Sequence, residues 1–345
     1  MPESFSNPVR GTGLLRDWPM PKDNPAPVAS LLEQCPKHGV TPLRSAPDLA
    51  RACGVAALHI KDESGRMGLG SFKALGAAYA IAKDARANGG EHAAPGRTYV
   101  AASAGNHGLS VAAGAAVFGA RAVIYLAQTV PEAFAERLRA KGAEVVRAGA
   151  TYEDSMEAAQ RAAADHGWTL LSDSSWEGYT DPPLAVMEGY LQLAGEVVAQ
   201  MPAPPSHILL QAGVGGMAAA LTAHFRKAWG DAPQIVVVEP EAAPALIESV
   251  RAGQAVTAPG PVSCMGRLDC KTPSMIALAG LSRDADSFVT ITEDEAAAGV
   301  ALLDRHGFAT TPSGGAGLAA LIAGLPGIGP QARVLAVLSE GPEDG

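Results

Sequence analysis

Short apolar runs alternate with longer segments of helical period from about residue 57 to the end of the chain. The runs "AALHI" (56–60), "TYVAAS" (98–103), "AVIYLA" (122–127), "EVV" (144–146), "TLLSD" (169–173), "HILLQAG" (207–213), "QIVVVEPE" (234–241), "FVTITEDE" (288–295) and "RVLAVLSEG" (333–341) predict nine strands. They are apolar throughout rather than alternating, as strands covered on both faces are. Between them lie helix-like segments: one opening at Lys73, then "LSVAAGAAVFG", "PEAFAERLRAKG" and "YEDSMEAAQRAAADHG". Pro131 near the start of the third and Gly142 at its end show the usual asymmetry of helix boundaries. "MPAPPS" (201–206) and "APGPV" (258–262) read as loops.

Strands spaced by helices imply an α/β fold built on mostly parallel sheets flanked by helices. Nine strands are many for one sheet, so two lobes are expected. Residues 1–90 with 191–345 would form the large, cofactor-binding lobe and residues 91–190 a smaller, mobile one.

The chain has 345 residues, 48% hydrophobic and 18% charged, with net charge −9. No basic patch stands out, which argues against nucleic-acid binding. No run approaches the ~18 apolar residues of a membrane span, and "MPESFSNPVRGTG" lacks the apolar core of a signal peptide. Four cysteines at spacings that match no zinc pattern suggest reduced thiols, a cytoplasmic location and no metal site.

Ligands of open α/β sheets bind beyond the carboxyl ends of the strands. After "HILLQA" come Gly213, Val214, Gly215, Gly216 and Met217, whose backbone N–H groups at a helix start suit a phosphate. The same stretch fits the dinucleotide fingerprint G-x-G-x-x-A, with Glu239 placed where a ribose-binding acid would lie. A nicotinamide-dependent dehydrogenase is therefore one reading, although its fingerprint comes late in the chain. After "YVAA" come Ser103, Ala104, Gly105, Asn106 and His107, which either hold a carboxylate at a helix start or cap the helix. Asp173 ends its run as a general base or an N-cap, and Ser339 ends the last run with a hydroxyl for a ring nitrogen or a turn. Lys73 lies in the apolar stretch "SFKALGAAYA". Desolvated beside positive dipoles, its amine is expected to have a lowered pKa and to attack carbonyls. Pyridoxal phosphate, an aldehyde with a phosphate and a ring nitrogen, uses all these parts together.

The motifs "KDES" (61–64), "GLGSFKALG" (68–76), "AGNHG" (104–108), "SDSSWEGYTDPP" (172–183), "ILLQAGVGGMAAAL" (208–221), "VEP" (238–240), "PSGGAGLAAL" (312–321) and "LSEG" (338–341) occur in the order of one family. With them the chain resembles the fold-type II pyridoxal-phosphate enzymes, whose large group includes the serine and threonine dehydratases. Within that group it is most similar to the diaminopropionate ammonia-lyases. The resemblance implies a two-lobed fold like that of the tryptophan synthase β subunit, a homodimer, and pyridoxal 5′-phosphate bonded to Lys73. It implies that Asn106 contacts ring oxygen O3′, that Gly213–Met217 hold the phosphate, and that Ser339 faces the pyridine nitrogen. Ser103 through His107 would hold the substrate carboxylate, and Asp173 would act as base on the L-isomer. The implied reaction is an α,β-elimination on a small L-amino acid that releases ammonia and a 2-oxo acid.

The sequence departs from the family at two places. Ala104 stands where the family has the acid it uses on D-isomers. Arg267 and Lys271 stand in "CMGRLDCKTPS" (264–274), either as readers of a second substrate carboxylate or as solvated surface charges. A 3-hydroxyaspartate, serine or threonine dehydratase is the alternative within the superfamily. A carrier that holds the cofactor without turnover is a further alternative, against which Lys73 and Asp173 argue.

Overall fold

The computed structural model describes residues 2–89 and 94–342. In chain order its strands are β1 (Glu3–Ser6), β2 (Leu43–Ser45), β3 (Ala57–Asp62), β4 (Thr98–Ala102), β5 (Arg121–Leu126), β6 (Glu144–Arg147), β7 (Thr169–Leu170), β8 (His207–Gln211), β9 (Gln234–Pro240), β10 (Ser287–Ile291) and β11 (Arg333–Leu338). A seven-stranded sheet runs β1-β10-β9-β8-β11-β3-β2, with five parallel inner strands and antiparallel edges. A parallel four-stranded sheet runs β6-β5-β4-β7. The expected lobe boundary at residues 90–91 lies outside the described residues.

The large sheet is buried on both faces, which explains its unbroken apolar runs. Along β8 to β11, Ile208, Leu210, Ile235, Val237, Leu335 and Val337 enter one core, while Leu209, Val236, Val238, Val334, Ala336 and Leu338 enter the other. The first core continues into the small sheet through Tyr99, Ala101 and Ile124. Helices Lys73–Ala87 and Asn106–Val117 carry residues of this shared core, so the element that begins with Lys73 lies between the two sheets.

Several expected strands are shorter than the sequence reading, among them "RVLAVLSEG", which leaves the sheet after Leu338. "FVTITEDE" stops at Ile291, because Thr292 caps the next helix in a reciprocal capping box with Glu295. "TLLSD" keeps only Thr169–Leu170 in the sheet and "HILLQAG" only His207–Gln211, and both free ends become loops of the site. The helix Tyr152–His166 is as expected, opened by a capping box of Thr151 with Asp154 and closed by Gly167 in the left-handed conformation.

The "KDES" motif serves a buried ion cluster. Lys61, Glu63 and Arg66 are fully buried. Lys61 Nζ lies 2.6 Å from Glu196 Oε2, and Arg66 binds Glu196 at 2.7 Å and Glu63 at 2.7 Å. Thr41 Oγ1 donates to Glu63 at 2.5 Å and accepts from Arg66 at 2.8 Å. Two buried cations therefore face two buried anions, an arrangement that offsets their desolvation. The cluster anchors the end of β3, from which the chain turns toward Lys73.

Candidate active site

The segments on either side of Lys73 are stitched to the end of β11. Phe72 N donates to Ser339 O at 3.1 Å, Gly341 N donates to Gly70 O at 3.0 Å, and Ser71 forms an isolated bridge with Glu340. Lys73 then opens its helix with its ammonium paired to the Asp173 carboxylate. About a fifth of each side chain remains exposed.

Burial alone would lower the Lys73 pKa, but Asp173 and then Tyr190 outweigh it and hold it well above the ordinary value. Burial would likewise raise Asp173, and Lys73 outweighs it, so that the carboxyl stays below the usual range. This corrects the expectation of a lysine with depressed pKa. The sequence does not reveal that the acid after β7 would lie directly against the amine.

Tyr190 is 1% exposed and lies beside Lys73, with its ring edge-on to Phe72 at 4.9 Å. Its Oη makes no hydrogen bond of ordinary geometry, and burial pushes its pKa up to about 12. The Lys73 ammonium beside it can only donate, so the Tyr190 O–H remains to donate to a ligand atom there.

The glycine-rich turn after β8 lies close to Asp173 and Tyr190. Gly215 has φ +94°, which glycine alone adopts readily, and a Cβ there would meet Ala277, Leu246 and Leu281 at 3.0–3.3 Å. Gly216 opens the helix Gly216–Trp229, whose first turn has no side-chain cap. Its uncapped amides suit an anion. A Cβ on Gly216 would come 3.8 Å from Asp173 O and 3.7 Å from Tyr190, so this turn adjoins the Lys73–Asp173 pair. Glu239, the candidate ribose acid, is fully buried and accepts the Leu246 and Ile247 amides at 2.8 Å each. Burial pushes its pKa up to about 8, against those two bonds. It is engaged at the start of the Ala245–Ala252 helix.

Ser339 is 5% exposed at the end of β11 and accepts Gln211 Nε2 at 3.1 Å, which leaves its own O–H free to donate. Asn106 opens its helix, again without a side-chain cap, and donates to the Glu340 carboxylate. Gly105 N donates to Ser103 Oγ at 3.3 Å. Gly108 is needed here because a Cβ would lie 2.1 Å from Ser103 O. His107 is 6% exposed, and its Nε2 lies 2.8 Å from Leu171 O, bracing the segment that leads to Asp173.

Arg267 reaches the same region, with Nε 3.0 Å from Glu340 Oε2. Lys271 is engaged within its own surroundings: its ammonium pairs with Asp269 and donates to Ala242 O at 2.8 Å and Pro261 O at 2.7 Å. Four residues of the site escaped the sequence reading: Tyr190, Gln211, Glu340 and Cys270. Cys270 Sγ would meet a Cβ on Gly213 at 3.1 Å, and burial pushes its pKa up to about 11, with Asp173 next in effect. "LSEG" was a usable signal for Glu340. The other three make their contacts far from their sequence neighbours.

A lysine amine paired to the carboxylate after β7, an uncapped glycine-rich helix start after β8 and a hydroxyl after β11 make an arrangement suited to a phosphorylated aldehyde cofactor. The chain belongs to the pyridoxal-phosphate dependent enzyme family, whose model matches residues 35–340. Diaminopropionate ammonia-lyase of Salmonella typhimurium is 33% identical over 297 residues, 79% of this chain and 74% of that protein. Serine dehydratase-like of Homo sapiens is 30% identical over 301 residues, 87% of this chain and 86% of that protein. Diaminopropionate ammonia lyase from Escherichia coli, solved in complex with an aminoacrylate-PLP azomethine reaction intermediate, superposes with a TM-score of 0.88 at 29% identity. It covers 99% of this chain and 94% of that one. The same enzyme has been solved in complex with D-serine. The fold is that of the fold-type II enzymes, the cofactor is pyridoxal phosphate, and the chain is a pyridoxal-phosphate dependent lyase.

Proposed function

We propose that this lyase eliminates the β-substituent of a small L-amino acid, L-2,3-diaminopropionate in the first place, releasing ammonia and a 2-oxo acid. The observation that carries the reading is the Lys73–Asp173 pair beside the uncapped glycine turn. Bound pyridoxal phosphate supplies an electron sink for the electrons left when the Cα proton departs. In this reading Lys73 Nζ would hold the cofactor through its aldehyde carbon. The Gly213–Met217 amides hold the phosphate, and Tyr190 Oη offers a further donor beside Lys73. Ser339 Oγ donates to the ring nitrogen without protonating it. Asp173 receives the Cα proton of the L-isomer and, being ion-paired with Lys73, passes protons to and from Nζ. The backbone of Ser103 to His107 binds the substrate carboxylate. Ala104 has no proton-accepting group, which supports preference for the L-isomer.

The human serine dehydratase-like relative favours a second reading, loss of hydroxide from a hydroxy amino acid at the same site. Its 3-hydroxyaspartate form has less support, because Arg267 and Lys271 are each ion-paired already. The homodimer rests on the family resemblance, and the cytoplasmic location on the four cysteines that match no zinc or disulfide pattern.

The test is 2-oxo acid release by the purified, cofactor-loaded chain from L-2,3-diaminopropionate, D-2,3-diaminopropionate, L-threo-3-hydroxyaspartate and L-serine. Release from the L-diamine and not from the D-isomer is expected. Release from the hydroxy amino acids alone would replace the proposal with the dehydratase reading.

A further inference from the structure

Glu340 receives more of the site than any motif reading suggested. It is 5% exposed. Its backbone is pinned by the bridge to Ser71 and by Thr310 Oγ1, which donates to Glu340 O at 2.6 Å. Its carboxylate accepts Thr311 Oγ1 and Asn106 Nδ2 and lies 3.0 Å from Arg267 Nε. A Cβ on Gly314 would come within 2.7 Å of Glu340 Cγ, so the neighbouring turn is shaped around this side chain. Asn106 and Arg267 border one cavity of about 430 Å³ with Glu340, and Arg137 and Lys141 line it from the helix Glu132–Ala140 and its end.

We propose that Glu340 is a positioning residue for the lyase reaction: it fixes the Asn106 amide and, with Arg267, sets the charge beside the cofactor ring. The inference rests on the reading that Asn106 faces ring oxygen O3′. A carboxylate only accepts hydrogen bonds, so it turns the Asn106 nitrogen inward and occupies one of its two hydrogens. The second hydrogen remains for the ring oxygen. A carboxylate one side chain away from that oxygen disfavours loss of a proton from the Lys73-linked cofactor, and the Arg267 guanidinium offsets it. The pair thus tunes the cofactor without touching it.

The experiment is a pH titration, from about 6 to 10.5, of the visible absorbance of cofactor-loaded parent, Glu340→Gln, Arg267→Gln, the double variant and Asn106→Ala. The other titratable groups near Lys73 (Asp173, Tyr190, Cys270 and Tyr152) are the same in all five, so differences isolate the substituted residues. Glu340→Gln keeps the shape, removes one negative charge and is expected to move the absorbance midpoint down by about half a pH unit or more. Arg267→Gln is expected to move it up, and the double variant to return toward the parent. A Glu340→Gln titration that superimposes on the parental curve overturns the proposal, as does a folded Glu340→Gln chain that no longer holds the cofactor. If instead Asn106→Ala matches the parent, the reading of Asn106 fails and not the charge argument alone.

Discussion

Glu196→Gln is the substitution whose cost the structure lets one calculate. Glu196 is 6% exposed and lies 2.6 Å from Lys61 Nζ and 2.7 Å from Arg66 Nη2. Gln192 Nε2 also donates to it, at 3.1 Å. The amide keeps the volume and one acceptor but leaves Lys61 and Arg66 facing Glu63 alone. Burial works to raise the Glu196 pKa, yet Arg66 and Lys61 hold it down at about 2, against an ordinary 4.5. That difference corresponds to about 3 kcal/mol of stability at neutral pH, close to the ~3–5 kcal/mol lost when one partner of a buried ion pair is removed. With an unfolding entropy of roughly 2.1 cal/mol/K per residue, a chain of 345 residues should melt about 4 °C lower. Because the folded pKa is depressed, this stability is present above pH 4.5 and is lost as pH falls toward 2. Calorimetric melting of parent and variant at neutral pH, and again at stepwise lower pH, is the assay. A gap of about 4 °C that narrows below pH 4.5 is expected. Equal melting at neutral pH, or a gap that widens in acid, would refute the reasoning.

Other substitutions read the site itself. Asp173→Asn should lower kcat on the L-substrate by about 10²–10⁴-fold. It should also let burial depress Lys73, so that cofactor uptake by the apo chain sets in at lower pH, followed by stopped-flow absorbance. Gly215→Ala places a side chain at φ +94° and against Ala277, Leu246 and Leu281. It should cost about 1–2 kcal/mol in denaturant titration and weaken pyridoxal phosphate binding measured by fluorescence. Ala104→Asp restores a proton acceptor, and turnover of D-2,3-diaminopropionate should then exceed that of the parent in a 2-oxo acid assay.

What could be read from the sequence was local. An apolar strand followed by Gly213-Val214-Gly215-Gly216 announces a tight turn and an anion cradle within six residues, and Lys73 stands out as a cation in an apolar helix start. The edge strands β1 and β2 carry no such signal: they are four and three residues long and mostly polar. The overlong strand at 288–295 was avoidable, since Thr292 and Glu295 spell a capping box. The charge state of Lys73 was not readable, because Asp173 lies 100 residues away. A similar distance hides the reason for "KDES": its Lys61, and Arg66 just after it, answer to Glu196, 135 and 130 residues on. Tyr190, Gln211 and Cys270 belong to the same class of contact made only by the folded chain.

The central claim is that Lys73 bonds the cofactor. The direct test is borohydride reduction of the purified, cofactor-loaded protein, followed by proteolysis and mass spectrometry of the lysine peptides. The pyridoxyl adduct is expected on Lys73, with no adduct and no yellow colour in Lys73→Ala. An adduct on Lys61 or another lysine, or full colour in Lys73→Ala, would contradict the account.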